Sequence, residues 1–138
     1  MKRIVLGFLL FLGVFSFLVA CGSDPFATSD GAITIELYDE EGALVEEKEI
    51  PFVEGDTFFE LLQDNFTVYC QNESGEPDES CEYETQYGVY VMGIDDVQAF
   101  DNEGYIGFYI DGDYATTGIS EADLIDGSVY QLKYEMIE

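Results

Sequence analysis

Histidine and tryptophan are absent from this chain, and lysine and arginine together number four against thirty aspartates and glutamates. Two of the four bases, Lys2 and Arg3, stand at the amino terminus, so the remainder holds no arginine and only Lys48 and Lys133. Phosphate binding needs clustered Lys and Arg, and this scarcity excludes nucleic acid as a partner. Without histidine or arginine, activation of a nucleophile and stabilisation of an oxyanion would rest on carboxylates, tyrosines and backbone alone. Carboxylate pairs can perform glycosidic chemistry, but thirty acids supply many chance pairs and none is singled out. An enzyme is therefore not expected. No Cys-x-x-Cys pair of metal-site type occurs, and no internal repeat is visible. An EF-hand is excluded as well: Asp111-Gly112-Asp113 opens like a calcium loop, but Ala115 and Ala122 stand where such a loop needs oxygen ligands.

What is present begins with a leader. Met1, Lys2 and Arg3 precede an apolar run from Ile4 to Ala20, broken only by Gly7, Gly13 and Ser16. The run is short for a membrane span of about 20 residues, and no basic stop-transfer cluster follows it. A charged start, an apolar middle and a small-residue end are the parts of an export signal. Leu18-Val19-Ala20-Cys21 resembles the lipobox of bacterial lipoproteins. That resemblance implies a diacylglycerol on the Cys21 sulfur, cleavage before it, and a new amino terminus there. The alternative is an uncleaved anchor helix with an incidental cysteine. Two acyl chains hold a protein on a bilayer where one does not, which places the protein on the extracytoplasmic face of the cell membrane, held by lipid. Past the leader the formal charge is −28, with two lysines against all thirty acids. Such a surface keeps a protein soluble and apart from its neighbours, and it also suits cations or a basic or neutral ligand. Gly22 to Gly31 (GSDPFATSDG) reads as a tether. Its ten residues reach roughly 33 Å, well beyond a screening length of about 8 Å.

The expected organisation is residues 1–20 as signal peptide, 21–31 as tether with lipidated Cys21, and 32–138 as one domain. Ile33, Ile35 and Leu37 alternate with polar neighbours as in a half-buried strand. Asp39 to Gly42 is a turn, and Leu44 to Val53 is the returning strand. Thr57 and Glu60 form a capping box, opening a helix with Phe58, Phe59, Leu62 and Phe66 on one face. Cys70 and Cys81 are expected to form a disulfide in an oxidising compartment, with free thiols as the alternative. They would pinch a polar surface loop, Gln71 to Ser80. Gly88 to Met92 and Ile106 to Ile110 read as strands. The last segment alternates best, with Tyr130, Leu132, Tyr134 and Met136 apolar and Gln131, Lys133 and Glu135 polar. The result is an α+β domain with one sheet and one covering helix.

The order hairpin, helix, strands resembles a β-grasp, the ubiquitin-like arrangement with a mixed sheet. A more specific likeness lies in Gly104-Tyr105-Ile106-Gly107-Phe108-Tyr109-Ile110-Asp111-Gly112, followed fourteen residues later by Asp126-Gly127-Ser128-Val129-Tyr130. With Gly55-Asp56-Thr57 ahead of Phe58, Phe59 and Leu62, this resembles the domain family similar to the carboxy-terminal domain of transcobalamin and intrinsic factor, across about Ala32 to Tyr134. The pattern departs at three places: Tyr105 stands near the family's tryptophan, Asp111 replaces an asparagine, and Ser128 replaces an aspartate. The resemblance implies the fold and suggests cobalamin or a related corrinoid as ligand. In the cobalamin carriers a separate helical domain shares the ligand, and this chain has none.

Two candidate sites follow. Tyr105, Phe108, Tyr109, Asp111, Gly112 and Tyr114 form an aromatic set around one turn; alternation puts Phe108 with the core and Tyr105 and Tyr109 on the other side. Tyrosine can stack on a flat ligand and hydrogen-bond through its hydroxyl, although tyrosines are also good strand formers. Asp95, Asp96, Asp111 and Asp113, with Asp101 nearby, are candidate ligands for calcium, against their ordinary use as turn residues. The expected function is a non-catalytic module that captures a small ligand, a corrinoid being the suggested case, for a transporter or another surface protein. The alternatives are a calcium-binding or adhesion domain using its acidic surface, and a surface protein whose partner is another protein.

Overall fold

Ile33, Ile35 and Leu37 are almost fully buried along β1 (Gly31–Tyr38), so the alternation in the sequence becomes one apolar face of a strand. The computed structural model describes residues 29–138. The leader, Cys21 and the tether as far as residue 28 lie outside the described residues. Gly31, expected to close the tether, is instead the first residue of β1, and Asp30 is already docked: its N–H donates to Phe52 O and its carboxylate accepts from Glu54 N–H. Asp39 turns the chain by accepting from the N–H groups of Glu41 and Ala43 through Oδ1. The return strand, β2 (Leu44–Phe52), pairs antiparallel with β1 and carries a bulge at its start.

The helix α1 (Phe58–Asn65) begins where the capping box places it. Thr57 Oγ1 accepts from Glu60 N–H and Glu60 Oε2 accepts from Thr57 N–H, both at 3.2 Å. Its buried face is Phe58, Leu61 and Leu62, with Phe66 at the cap; Phe59 is only half-buried, and Leu61 replaces it in the expected stripe. At the other end Lys48 Nζ donates to Asn65 O at 2.6 Å and lies over the Phe66 ring. A cation there complements the carbonyl end of the helix.

The chain then builds β3 (Val68–Gln71), β4 (Pro77–Asp78), β5 (Val91–Ile94), β6 (Val97–Gln98), β7 (Gly104–Ile110), β8 (Asp113–Tyr114), a 3-10 turn (Ile119–Glu121) and β9 (Val129–Met136). They form two sheets and not the single one expected. The larger has the order β2-β1-β9-β7-β8, and the smaller the order β4-β3-β5-β6. β9 lies between β1, to which it is parallel, and β7, to which it is antiparallel.

Two expectations change in the smaller sheet. The segment Gln71 to Ser80 is not all loop, because Pro77 and Asp78 pair with Gln71 and Cys70. The strand expected over Gly88 to Met92 runs over Val91–Ile94, and all four of its residues are buried. A strand covered on both faces shows no alternation from which to set its bounds. The disulfide Cys70–Cys81 is present, with Cα atoms 5.0 Å apart.

The core lies between α1 and the inner face of the larger sheet. The Phe58 ring stacks on Tyr130 at 4.5 Å and on Phe108 at 5.2 Å. Tyr130 is fully buried, and its hydroxyl is satisfied by donating to Asp123 O and accepting from Ile125 N–H.

Candidate binding face

Since Ile106, Phe108, Tyr130 and Leu132 face the core, the residues between them turn outward. The register of the larger sheet then assembles a polar, aromatic outer face. β7 contributes Tyr105 and Tyr109, β9 contributes Gln131, Lys133 and Glu135, β1 contributes Glu36 and Tyr38, and β8 contributes Tyr114. Gly107 sits between the two β7 tyrosines. A Cβ there would come within 2.5 Å of Glu135 Oε2, so the missing side chain makes room for the Glu135 carboxylate.

That carboxylate accepts a short hydrogen bond from Tyr109 Oη. Its hydrogen bond, with some help from burial and its charge, pushes the Tyr109 hydroxyl up to about 12 and raises that of Tyr105 further. Both phenols are thereby tied to the Glu135 carboxylate. The Tyr114 ring meets Tyr109 edge-on at 4.9 Å and is largely exposed. Tyr105, Tyr109, Tyr114, Glu135 and Met136 line an open depression of about 580 Å³.

Lys133 Nζ lies 4.6 Å from the centre of the Tyr109 ring and 5.1 Å from that of Tyr38, a cation held between two aromatic rings. Beyond it, Glu36 Oε2 accepts from Tyr38 Oη at 2.6 Å and from Gln131 Nε2 at 2.7 Å. These bonds, Tyr38's first, hold the Glu36 carboxyl below its usual range, with Lys133 adding to the effect. The other amide atom, Gln131 Oε1, is buried without a hydrogen-bond partner among the described residues. The outer face is thus a preorganised row of rings and hydrogen-bonding groups.

The expected aromatic set is divided. Tyr105, Tyr109 and Tyr114 come together on or beside this face, whereas Phe108 points inward, stacked on Phe58. Phe108 instead forms part of the floor of a separate groove of about 250 Å³, rimmed by Tyr87, Tyr90 and Tyr114. Asp111 and Gly112 form the β7–β8 turn, with φ of 52° and 85°, the left-handed pair that a two-residue hairpin needs. The Asp111 carboxylate is committed: Oδ1 accepts from Val129 N–H at 2.8 Å and Oδ2 from Ser128 Oγ at 2.9 Å. Those bonds, the one from Val129 first, lower its pKa.

The expected metal ligands are not brought together. Asp95 and Asp96 occupy the β5–β6 turn in the smaller sheet, whereas in the larger Asp111 lies in the β7–β8 turn and Asp113 opens β8. Asp95 Oδ1 accepts from Thr67 N–H at 2.7 Å, and Asp101 Oδ1 accepts from Glu103 N–H. Among the described residues, no group of three or more His, Cys, Asp or Glu is arranged to hold a metal ion. Tyr38, Gln131, Lys133 and Glu135 were not expected in the site. The alternation of β9 marks the last three as one polar face, and only the register places them beside the tyrosines.

No protein-family model matches the chain, and no curated protein matches it. Its fold is similar to that of a protein from Ruminococcus gnavus described as a "putative metal binding protein", with a TM-score of 0.59 and 15% identity, covering 79% of this chain and 100% of that one. At that identity the likeness is one of fold. Together with two sheets and one helix, it defines an α+β protein. Among the described residues no helix is long and apolar enough to cross a membrane.

Proposed function

We propose that this is a non-catalytic binding module, carried on the extracytoplasmic face of a membrane by lipid on Cys21, whose outer sheet face takes a flat small molecule. The observation that carries the reading is the arrangement of Tyr105, Tyr109 and Tyr114 around an open depression, with Glu135 accepting from the Tyr109 hydroxyl. Rings supply stacking area at little entropic cost, and the phenols and Glu135 supply polar contacts that orient a ligand. The hairpin, helix and parallel return of β9 beside β1 support a β-grasp arrangement, here with a second small sheet added. A corrinoid is the ligand that the transcobalamin-like resemblance implies, for delivery to a transporter or another surface protein. Two of the departures from that pattern, Asp111 and Ser128, are hydrogen-bonded to each other, which keeps the closing turn tied to β9.

Titration of the full-length protein in detergent with cobalamin, followed by the corrin absorption spectrum, tests this. Saturable spectral change is expected, weakened about tenfold or more by Tyr109→Ala or Tyr114→Ala, a loss of about 1.4 kcal/mol or more. Absence of any shift, or indifference to both substitutions, removes the corrinoid and this face respectively. The fold likeness to the Ruminococcus gnavus protein favours a second reading, a cation-binding surface. Its test is the melting temperature with and without millimolar calcium; an unchanged value discards it.

A further inference from the structure

β2 is the outermost strand of the larger sheet on the side away from the tyrosines. The pairing of β1 shows which of its neighbour's backbone groups are used. Thr34 N–H donates to Ser128 O, so the even-numbered residues of β1 direct their backbone groups toward β9. The odd-numbered ones, Ile33, Ile35 and Leu37, direct theirs toward Ile50, Lys48 and Glu46 of β2. By the alternation of an antiparallel ladder, Glu47 and Glu49 point their N–H and C=O groups out of the sheet. None of these four groups has a hydrogen-bond partner among the described residues. The row is bounded by the bulge at Val45 and by Pro51, whose missing N–H would also face outward. An open segment, Glu46 to Ile50, is left between them.

The side chains above that segment define what can pair with it. Glu47 and Glu49 are exposed, and Glu47 lies directly opposite Glu36, whose carboxylate accepts from Tyr38 and Gln131. Like charges directly opposite one another destabilise a sheet, and opposite charges stabilise it. A second copy of this chain, paired antiparallel about the same edge, would set Glu47 and Glu49 against each other. Lys48, the one base in the segment, faces the other side and is committed to Asn65 O and Glu46. The edge thus offers hydrogen bonds to an extended chain while repelling its own kind.

We propose that Glu46–Ile50 is the docking site for an extended segment of a basic partner protein, which adds as a further strand with Lys or Arg at alternate positions facing Glu47 and Glu49. Strand addition draws affinity from the backbone and selectivity from alternate side chains. Both are available here on groups the fold leaves unpaired.

The test uses full-length protein in detergent and a short peptide alternating lysine with threonine. Binding by fluorescence anisotropy is expected, with amide shifts at Glu47 and Glu49 in the magnetic resonance spectrum. The same peptide, N-methylated on the amides that would face the edge, keeps its charge and should bind at least about tenfold more weakly. Glu47→Gln with Glu49→Gln should weaken the unmodified peptide by about tenfold. Glu47→Pro removes an outward N–H and no bond to β1, and should weaken it as much while leaving the circular dichroism spectrum unchanged. Equal binding of the N-methylated peptide would mean attraction by charge alone and overturn the proposal, whether or not the proline variant folds. Failure of the alternating peptide to bind would overturn it too.

Discussion

The two sheets of this domain are held together differently. In the larger, β1, β2, β7 and β9 run to eight, nine, seven and eight residues, and one face of the sheet is buried under the helix. In the smaller, no strand exceeds four residues, and two have only two. Strands so short make few ladder bonds. There the chain is secured by near-complete burial of β5 and by a covalent link from β3 to the residues just past β4. A long strand with a buried face carries its own reason to pair, whereas a short one depends on what is fastened beside it.

The sharpest way to break this contrast is through the helix. Phe58 is fully buried against Phe108 and Tyr130, so Phe58→Ala should cost about 3–5 kcal/mol in urea unfolding. A loss under about 1 kcal/mol would show that the larger sheet does not depend on its cover. Next comes the staple. The bridge closes a separation of 11 residues, and Cys70→Ala with Cys81→Ala should cost about 3 kcal/mol by loop entropy. Hydrogen exchange should then quicken in β3 and β5 ahead of β1 and β9. Uniform quickening across both sheets would erase the distinction.

The smallest effect concerns the β5–β6 turn. Burial, and beyond it the neighbouring Glu46 carboxylate, raise the Asp95 pKa in the folded state. The folded protein then holds that proton more tightly than the unfolded chain, so stability falls as pH rises through the folded pKa and the penalty persists above it. Asp95→Asn keeps an oxygen for Thr67 N–H and suits the left-handed backbone at φ 49°. It should stabilise by about 0.5 kcal/mol at pH 7, a figure discounted for solvent screening, and by nothing below the unfolded pKa near about 3.9. A gain equal at both pH values would assign the effect to something other than charge.

The larger sheet was also the one readable in advance. Ile33 to Leu37 and Tyr130 to Leu132 announce their buried faces, the Thr57–Glu60 box marks the helix start, and Asp111-Gly112 marks a turn. The smaller sheet has no such signature. Val91 to Ile94 is apolar without alternation, and β4 lies inside an acidic stretch where only the pairing with β3 makes it a strand. The site divides along the same line. Parity along β7 separates Tyr105 and Tyr109 from Phe108, because neighbours on one strand obey a local rule. Lys133 meets Tyr38, and Gln131 meets Glu36, across strands that lie far apart in the chain. That adjacency depends on register, which no local pattern specifies.

The parallel seam between β1 and β9 has a kinetic consequence. Thr34 is matched with Val129 and Tyr38 with Lys133, so the middle of the larger sheet is filled by a strand that follows all the other described strands in the chain. Until it arrives, β1 and β7 have no common neighbour, and Phe58 lacks the ring of Tyr130 beneath it. Such distant pairings slow the search for the native state. A ribosome-bound chain would stay open to chaperones and proteases until β9 emerged.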